Sequence, residues 1–294
     1  MIASRRRQAL LLVGHGSAFG PAAGAPVRAH AERIRRWRIF DEVETAFVKE
    51  SPHLEGAVDR LESEDVYVVP LFLAEGYYTR GVVPRRLGLS GGENGSDDAG
   101  NPITGDGSAR QPGRRVRYSE AIGSHPAMIR AIERRARRVL GGDTPSGDTA
   151  LVLIGHGTER HPNSADTVLR LTARLKRHAR FGEVTCGFLD QEPRIDGVVS
   201  KLHARRVVLI PYFLADGMHT RETIPEMLGL GGAHTVRGDR ELWYTPPVGT
   251  LPAVARIAVD LARREGARID REKGGRTRRR AARVPATGLS GDSD

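Results

Sequence analysis

The chain has 294 residues, a formal net charge of +10 and a single cysteine. That length suffices for two domains of ordinary size. A lone cysteine excludes an internal disulfide and any four-cysteine iron–sulfur or zinc site within one chain. No apolar run reaches the roughly 18 residues of a membrane span, so no membrane association is expected.

In chain order, the first element is a strand over residues 8–13, an apolar run that stops at Gly14-His15-Gly16-Ser17. Short aliphatic runs ending at glycine read as buried strands that close in a tight turn. The basic Met1–Arg7 ahead of it has the outline of a signal peptide, but the apolar run is too short for one, and a cytoplasmic location is the expectation. A helix comes next over about 26–37, then a strand over 42–48 and a helix from near Pro52. A third strand, 65–72, leads to a turn at Gly76 and a helix opened by Pro84. A fourth strand (115–118) and a last helix (126–140) complete the series.

After a linker over 141–147 the series repeats. The strand 149–154 ends at Gly155-His156-Gly157-Thr158; then come a helix (163–178), a strand (183–189), a helix from near Pro193, a strand (206–213), a turn at Gly217, a helix opened by Pro225, a strand (241–244) and a helix (252–264). The offset between copies is 141 at Pro21/Pro162, Phe47/Phe188, Pro52/Pro193, Gly56/Gly197, Pro70/Pro211, Gly76/Gly217 and Pro84/Pro225. It falls to 126 at Tyr118/Tyr244, Gly123/Gly249 and Pro126/Pro252, so the first copy carries 15 extra residues, placed at about 91–113. This is an internal duplication. Strands alternating with helices imply two tandem α/β repeats, each a doubly wound, mostly parallel sheet of flavodoxin-like type, with a cleft between them at the strand ends. The repeats are 8–142 and 149–265, and 266–294 reads as a disordered basic tail. Much of the net charge lies there and in Arg5-Arg6-Arg7; without interleaved aromatics it attracts polyanions only non-specifically, so no dedicated nucleic-acid binding is expected.

The two copies differ at their strand ends. Both carry a histidine after the first strand, His15 and His156. After the second, Lys49 faces Asp190, and Glu50-Ser51 face Gln191-Glu192; after the third, Tyr78 faces His219. The second copy thus offers His156, His219, Asp190 and Glu192 at adjacent strand ends, and two imidazoles with a carboxylate suit a divalent first-row metal with open coordination positions. In the first copy a lysine ammonium would repel a cation. One functional centre, in the C-terminal half, is the expectation.

The turn GHG(S/T), followed in the same half by P-(L/Y)-F-L-A-(E/D)-G-x-(H/Y)-T-R-x-x-(I/V)-P, resembles the sirohydrochlorin chelatases, cobaltochelatases and ferrochelatases that insert a divalent metal into a tetrapyrrole without nucleotide hydrolysis. The resemblance covers both repeats and corresponds to the long, duplicated form. It implies that His156 and His219 bind the metal and assist removal of the pyrrole protons, and that an acidic residue after the second strand, Asp190 with Glu192 in reserve, joins them. Long members keep the histidine pair in the N-terminal half; here Tyr78 breaks that pair, and His15 and Tyr78 are left to contact substrate. Sirohydrochlorin carries a rim of carboxylates, which arginine binds bidentately; Arg80, Arg221 and Arg160 are the candidates. The metal, Co²⁺ or else Fe²⁺ or Ni²⁺, is a substrate, and hand-over to other tetrapyrrole-pathway enzymes is implied. With no G-x-x-x-x-G-K-(S/T) there is no nucleotide site, and no iron–sulfur cluster is expected. The main reading is a cobaltochelatase of cobalamin biosynthesis; a sirohaem ferrochelatase, a metal or tetrapyrrole carrier without turnover, and a phosphate-ligand binding module remain as alternatives. His161 stands close to the active loop, Cys186 reads as a small core residue, and His30, His53, His178 and His203 read as exposed.

Overall fold

The computed structural model describes residues 6–20, 22–89, 109–111, 114–142, 147–157, 165–178 and 180–269. Residues 270–294 of the expected tail, nearly all of the insertion, Arg160 and His161 lie outside them; the tail's first residues, 266–269, are described, and the Arg268 backbone exchanges hydrogen bonds with the Gln8 side chain at 2.8 and 3.1 Å. The first repeat contains β1 (Gln8–Gly14), α1 (Ala25–Arg35), β2 (Glu42–Phe47), β3 (Asp65–Pro70), α2 (Val83–Arg86), β4 (Ala109–Gln111), β5 (Arg114–Tyr118) and α3 (Ala127–Val139). The second contains β6 (Thr149–Gly155), α4 (Asp166–His178), β7 (Glu183–Phe188), α5 (Ile195–Ser200), β8 (Arg206–Pro211), α6 (Ile224–Leu228), β9 (His234–Arg237), β10 (Arg240–Tyr244) and α7 (Ala253–Arg264).

The two sheets have one topology, β2-β1-β3-β5-β4 and β7-β6-β8-β10-β9. Every pairing is parallel except the antiparallel edges β4–β5 and β9–β10. The central strands β1 and β6 are buried along their whole length, as their unbroken apolar runs require of a strand covered on both faces. Helical spacing sorts α3 in the same way: Met128, Ile129, Ile132 and Ala136 face inward, and Arg130, Arg134, Arg137 and Arg138 lie on the opposite face.

The inner faces of the two sheets share one core. It runs from Leu10, Ile34 and Val69 of the first repeat through Ile132 to Leu153, Ile210, Ile257 and Leu261 of the second. The final helices cross over: α3 packs on β8 of the second sheet and α7 on β3 of the first. The outer faces keep separate clusters, under Leu54–Leu61 and α2 on one side and under α5 and α6 on the other. Hydrogen bonds cross the seam at matched places. Tyr212 Oη donates to Gly123 O at 2.8 Å, and His30 Nε2 meets Gly249 O at 2.7 Å. A Cβ on Gly123 or Gly249 would come within 1.9 or 2.0 Å of the carbonyl oxygen of Leu73 or Leu214, so only glycine fits there.

Several elements depart from the sequence expectation. No helix forms after Pro52: Glu55–Arg60 makes turns, and Gly56 at φ 65° takes the left-handed region that interrupts a helix, whereas the second copy forms α5. Pro84 and Pro225 do not open their helices. Each helix begins with a π-helical turn, Tyr78–Val82 or His219–Thr223, and the proline sits where π gives way to α. The edge strands β4 and β9 were not expected. They are matched in the two copies, so the 15 extra residues fall between Leu89 and Ala109, outside the described segments. His30 is buried, 3% exposed, because it shares the inward face of α1 with Val27, Ala31 and Ile34. Among the described residues no helix is long and apolar enough to cross a membrane.

Candidate active site

Parallel strands all end at the same edge of a sheet, and there the ends of β1, β2 and β3 and of β6, β7 and β8 bring the residues of interest together. The backbone ties neighbouring strand ends directly. Lys49 N–H donates to His15 O at 2.9 Å, and Asp190 N–H to His156 O at 3.0 Å. The turn after each histidine needs a left-handed residue, supplied by Gly16 at φ 67° and Gly157 at φ 72°.

In the second repeat His156 and His219 meet edge to face, ring centroids 4.8 Å apart at 89°, with Phe213 at 6.2 Å and 6.4 Å from the two rings. His156 Nδ1 lies 2.7 Å from Gly157 O. A carbonyl only accepts, so Nδ1 carries the proton and Nε2 keeps its lone pair free. The Asp190 carboxylate stands 3.3 Å from the same Nδ1, on the far side of the ring from the free nitrogen. His219 Nδ1 is 3.4 Å from Thr223 Oγ1.

The first repeat reproduces this geometry with other chemistry. His15 and Tyr78 meet at 4.7 Å and 85°, Phe72 takes the place of Phe213, and His15 Nδ1 lies 2.9 Å from Gly16 O. Burial holds the His15 imidazole below its ordinary value; the Gly16 carbonyl pulls it up, and the Lys49 ammonium pushes it down again. Lys49 adjoins Glu50, whose carboxylate is 8% exposed and accepts from Ser17 N–H at 3.0 Å and from the Arg28 guanidinium. Glu50 therefore pins the turn bearing His15 to α1, a task that its alignment with Gln191 did not reveal.

Both π-turns hang on a tyrosine that the sequence marked only as a repeated position, Tyr118 or Tyr244. In a π-turn the N–H five residues on bonds back, as Val83 does to Tyr78 O and Ile224 to His219 O. For Thr79 and Thr220 that residue is Pro84 or Pro225, which has no N–H. Tyr118 Oη donates to Thr79 O and Tyr244 Oη to Thr220 O, each at 2.7 Å. Burial raises both phenols well above the ordinary tyrosine value, so they remain protonated donors. Thr79 and Thr220 brace the same turns through Glu75 and Asp216, each at 2.8 Å.

Both repeats line one cleft of about 850 Å³, with His15, Phe19 and Lys49 on one wall and His156, Met218 and His219 on the other. Phe19 is fully exposed and Met218 63% exposed, so the cleft has apolar lips. Not every expected residue reaches it. Glu192 is held in its own turn, accepting from Arg194 N–H at 3.0 Å. Arg221 pairs with Asp216 at 2.9 Å and Arg80 with Glu75 at 3.8 Å; both are exposed, and neither is among the residues lining the cleft. Among the described residues no three His, Cys, Asp or Glu side chains converge as a metal cage. What stands ready is the imidazole pair, with Asp190 against the back of one ring.

A family model described as CbiX matches residues 9–139 and again 150–265. A probable sirohydrochlorin cobaltochelatase of Halobacterium salinarum is 35% identical over 275 residues, covering 89% of this chain and 93% of that protein. The sirohydrochlorin cobaltochelatase of Methanopyrus kandleri is 32% identical over 133 residues, 38% of this chain but 92% of its own length. Among solved structures, a multi-domain protein of Deinococcus radiodurans described as structurally similar to chelatases aligns with a TM-score of 0.74 and 29% identity; the match covers 92% of this chain and 57% of that one. SirB of Bacillus subtilis with Fe³⁺ shares the fold, with a TM-score of 0.67 at 21% identity over 90% of this chain and 100% of its own.

Proposed function

We propose that this chain, which belongs to the CbiX family, is a sirohydrochlorin cobaltochelatase that inserts Co²⁺ into a carboxylated tetrapyrrole without nucleotide hydrolysis. The observation that carries the assignment is the His156–His219 pair, 4.8 Å between ring centroids, on the wall of a cleft built by both repeats. A macrocycle is a flat apolar plate with polar edges, and a cleft with Phe19 and Met218 at its lips suits its faces.

The metal is a substrate that must leave the protein, so a tight cage would oppose turnover. Two imidazoles leave most coordination positions to water and then to the pyrrole nitrogens, and imidazole is a good ligand for cobalt, iron and nickel alike. Insertion releases two pyrrole protons. Imidazole can hold a metal or accept a proton near neutral pH, and His156 has Nε2 free for either task because Nδ1 is engaged by Gly157 O. In this reading His156 and His219 take the metal and the protons between them. Asp190 fixes the ring of His156 and adds negative charge behind it. His15 lines the opposing half-site, with Tyr78 packed edge-on against its ring.

The test is a spectrophotometric metallation assay with sirohydrochlorin and Co²⁺, Fe²⁺ or Ni²⁺, with and without the protein. A rate above the spontaneous one, greatest with Co²⁺, supports the assignment. A greater acceleration with Fe²⁺ makes the chain a ferrochelatase, and stoichiometric binding with no acceleration makes it a carrier.

A further inference from the structure

The first repeat keeps the shape of the second repeat's site and replaces its metal-favouring groups. Tyr78 stands where His219 stands, at the same ring geometry to its histidine. Lys49 takes the place of Asp190, bonded through its amide to the histidine carbonyl in the same way. The Lys49 side chain lines the shared cleft, and among the described residues no carboxylate lies within ion-pair distance of it. Its acidic neighbour Glu50 is already engaged by Arg28 and Ser17. The two arginines next expected to meet anions, Arg80 and Arg221, are paired with their own acids outside the cleft wall. A cationic head in an apolar cleft recognises an anion rather than a metal.

We infer that Lys49 is the cleft's carboxylate anchor: its ammonium makes the N-terminal half-site a subsite for an acidic side chain of the tetrapyrrole. This rests on the tetrapyrrole reading above and adds to it the group that grips the substrate's edge. Placing an anion subsite opposite the imidazole pair also breaks the twofold symmetry of the cleft, so the macrocycle is held from one side while the metal arrives from the other. The surroundings of His15 agree: burial chiefly, and the Lys49 ammonium in addition, hold its imidazole below the ordinary value and so disfavour a second cation there.

The experiment is an equilibrium titration of metal-free sirohydrochlorin into the full chain, followed by absorbance, for wild type, Lys49→Ala and Lys49→Arg at low and high salt. Lys49→Ala weakens binding about tenfold, the effect of losing one hydrogen bond to a charged group, and flattens the salt dependence; Lys49→Arg restores most of both. Co²⁺ titrated alone binds all three variants equally. Equal sirohydrochlorin affinity in wild type and Lys49→Ala overturns the inference, as does a loss in Lys49→Ala that Lys49→Arg does not recover. If wild type binds sirohydrochlorin yet does not accelerate metallation, the chelatase assignment fails, while the Lys49 comparison still decides the subsite. If wild type does not bind sirohydrochlorin at all, both fall.

Discussion

Replacing Tyr244 with phenylalanine removes one oxygen, and that oxygen is the donor to Thr220 O, which Pro225 leaves without a π-turn partner. Thr220 is the residue after His219, so the bond holds the turn that carries one member of the imidazole pair. A net hydrogen bond contributes about 0.5–1.5 kcal/mol, and stranding a buried acceptor costs about 1–3 kcal/mol. Thr220 is 3% exposed, so the freed carbonyl stays away from water and the cost of a stranded acceptor applies, about 1–3 kcal/mol. Each kcal/mol corresponds to roughly 2–4 °C in Tm for a domain of 150–250 residues. The duplication supplies the control, because Tyr118→Phe removes the same bond, at the same 2.7 Å, from the turn that carries Tyr78 instead. Both variants should lose similar thermal stability, measured by circular dichroism. Only Tyr244→Phe should slow metallation strongly, by roughly tenfold, a fraction of the ~10²-fold that a 1 Å misplacement can cost. Equal loss of rate in the two variants, or none in Tyr244→Phe despite the stability loss, would refute the claim that this bond positions His219.

The seam between repeats and the buried histidines make two further outcomes testable. Gly249→Ala drives a Cβ to 2.0 Å from the backbone oxygen of Leu214, which no rotamer change relieves; urea unfolding should show a loss of at least ~1–3 kcal/mol, and an unchanged midpoint would contradict the packing described. Burial holds His15, His30 and His125 below the ordinary histidine value in the folded state. The unfolded chain therefore takes up protons first as pH falls, so stability is complete above about pH 6.5 and declines below it. Glu42 and Glu55, the latter pushed down to about 2, lose their contribution only at more acid pH. A Tm that does not fall between pH 7.5 and pH 5.5 would be incompatible with the buried His30 and His125 and the half-buried His15.

The two parallel-sheet repeats and the shared cleft were legible because the duplication repeats many turn glycines and prolines at a fixed offset. Aligned strand ends then placed His219 beside His156 from the string alone. What the sequence concealed has physical causes. Pro84 and Pro225 carry the usual mark of a helix start, but a tyrosine some 20 or more residues away supplies the missing donor and lets the helix begin six residues earlier. The crossing of α3 and α7 between sheets is decided by packing across the seam, which no local pattern encodes. Asp190 and Glu192 look equivalent in a string, yet one faces the ring of His156 and the other closes its own turn on Arg194. Two misses were readable. Val27, His30, Ala31 and Ile34 recur at helical spacing on one face, and Gly238-Asp239 between two short runs is a hairpin signal, with Gly238 at φ 61°.

Everything proposed for this chain turns on the imidazole pair of the C-terminal repeat being the single centre of metallation. The decisive comparison is the Co²⁺ insertion rate into sirohydrochlorin for wild type, His219→Ala and His15→Ala, with folding of each verified by circular dichroism. His219→Ala should fall to near the spontaneous rate while His15→Ala keeps substantial activity. A dead His15→Ala beside an active His219→Ala would put the centre in the other repeat and reverse the roles given to the two half-sites.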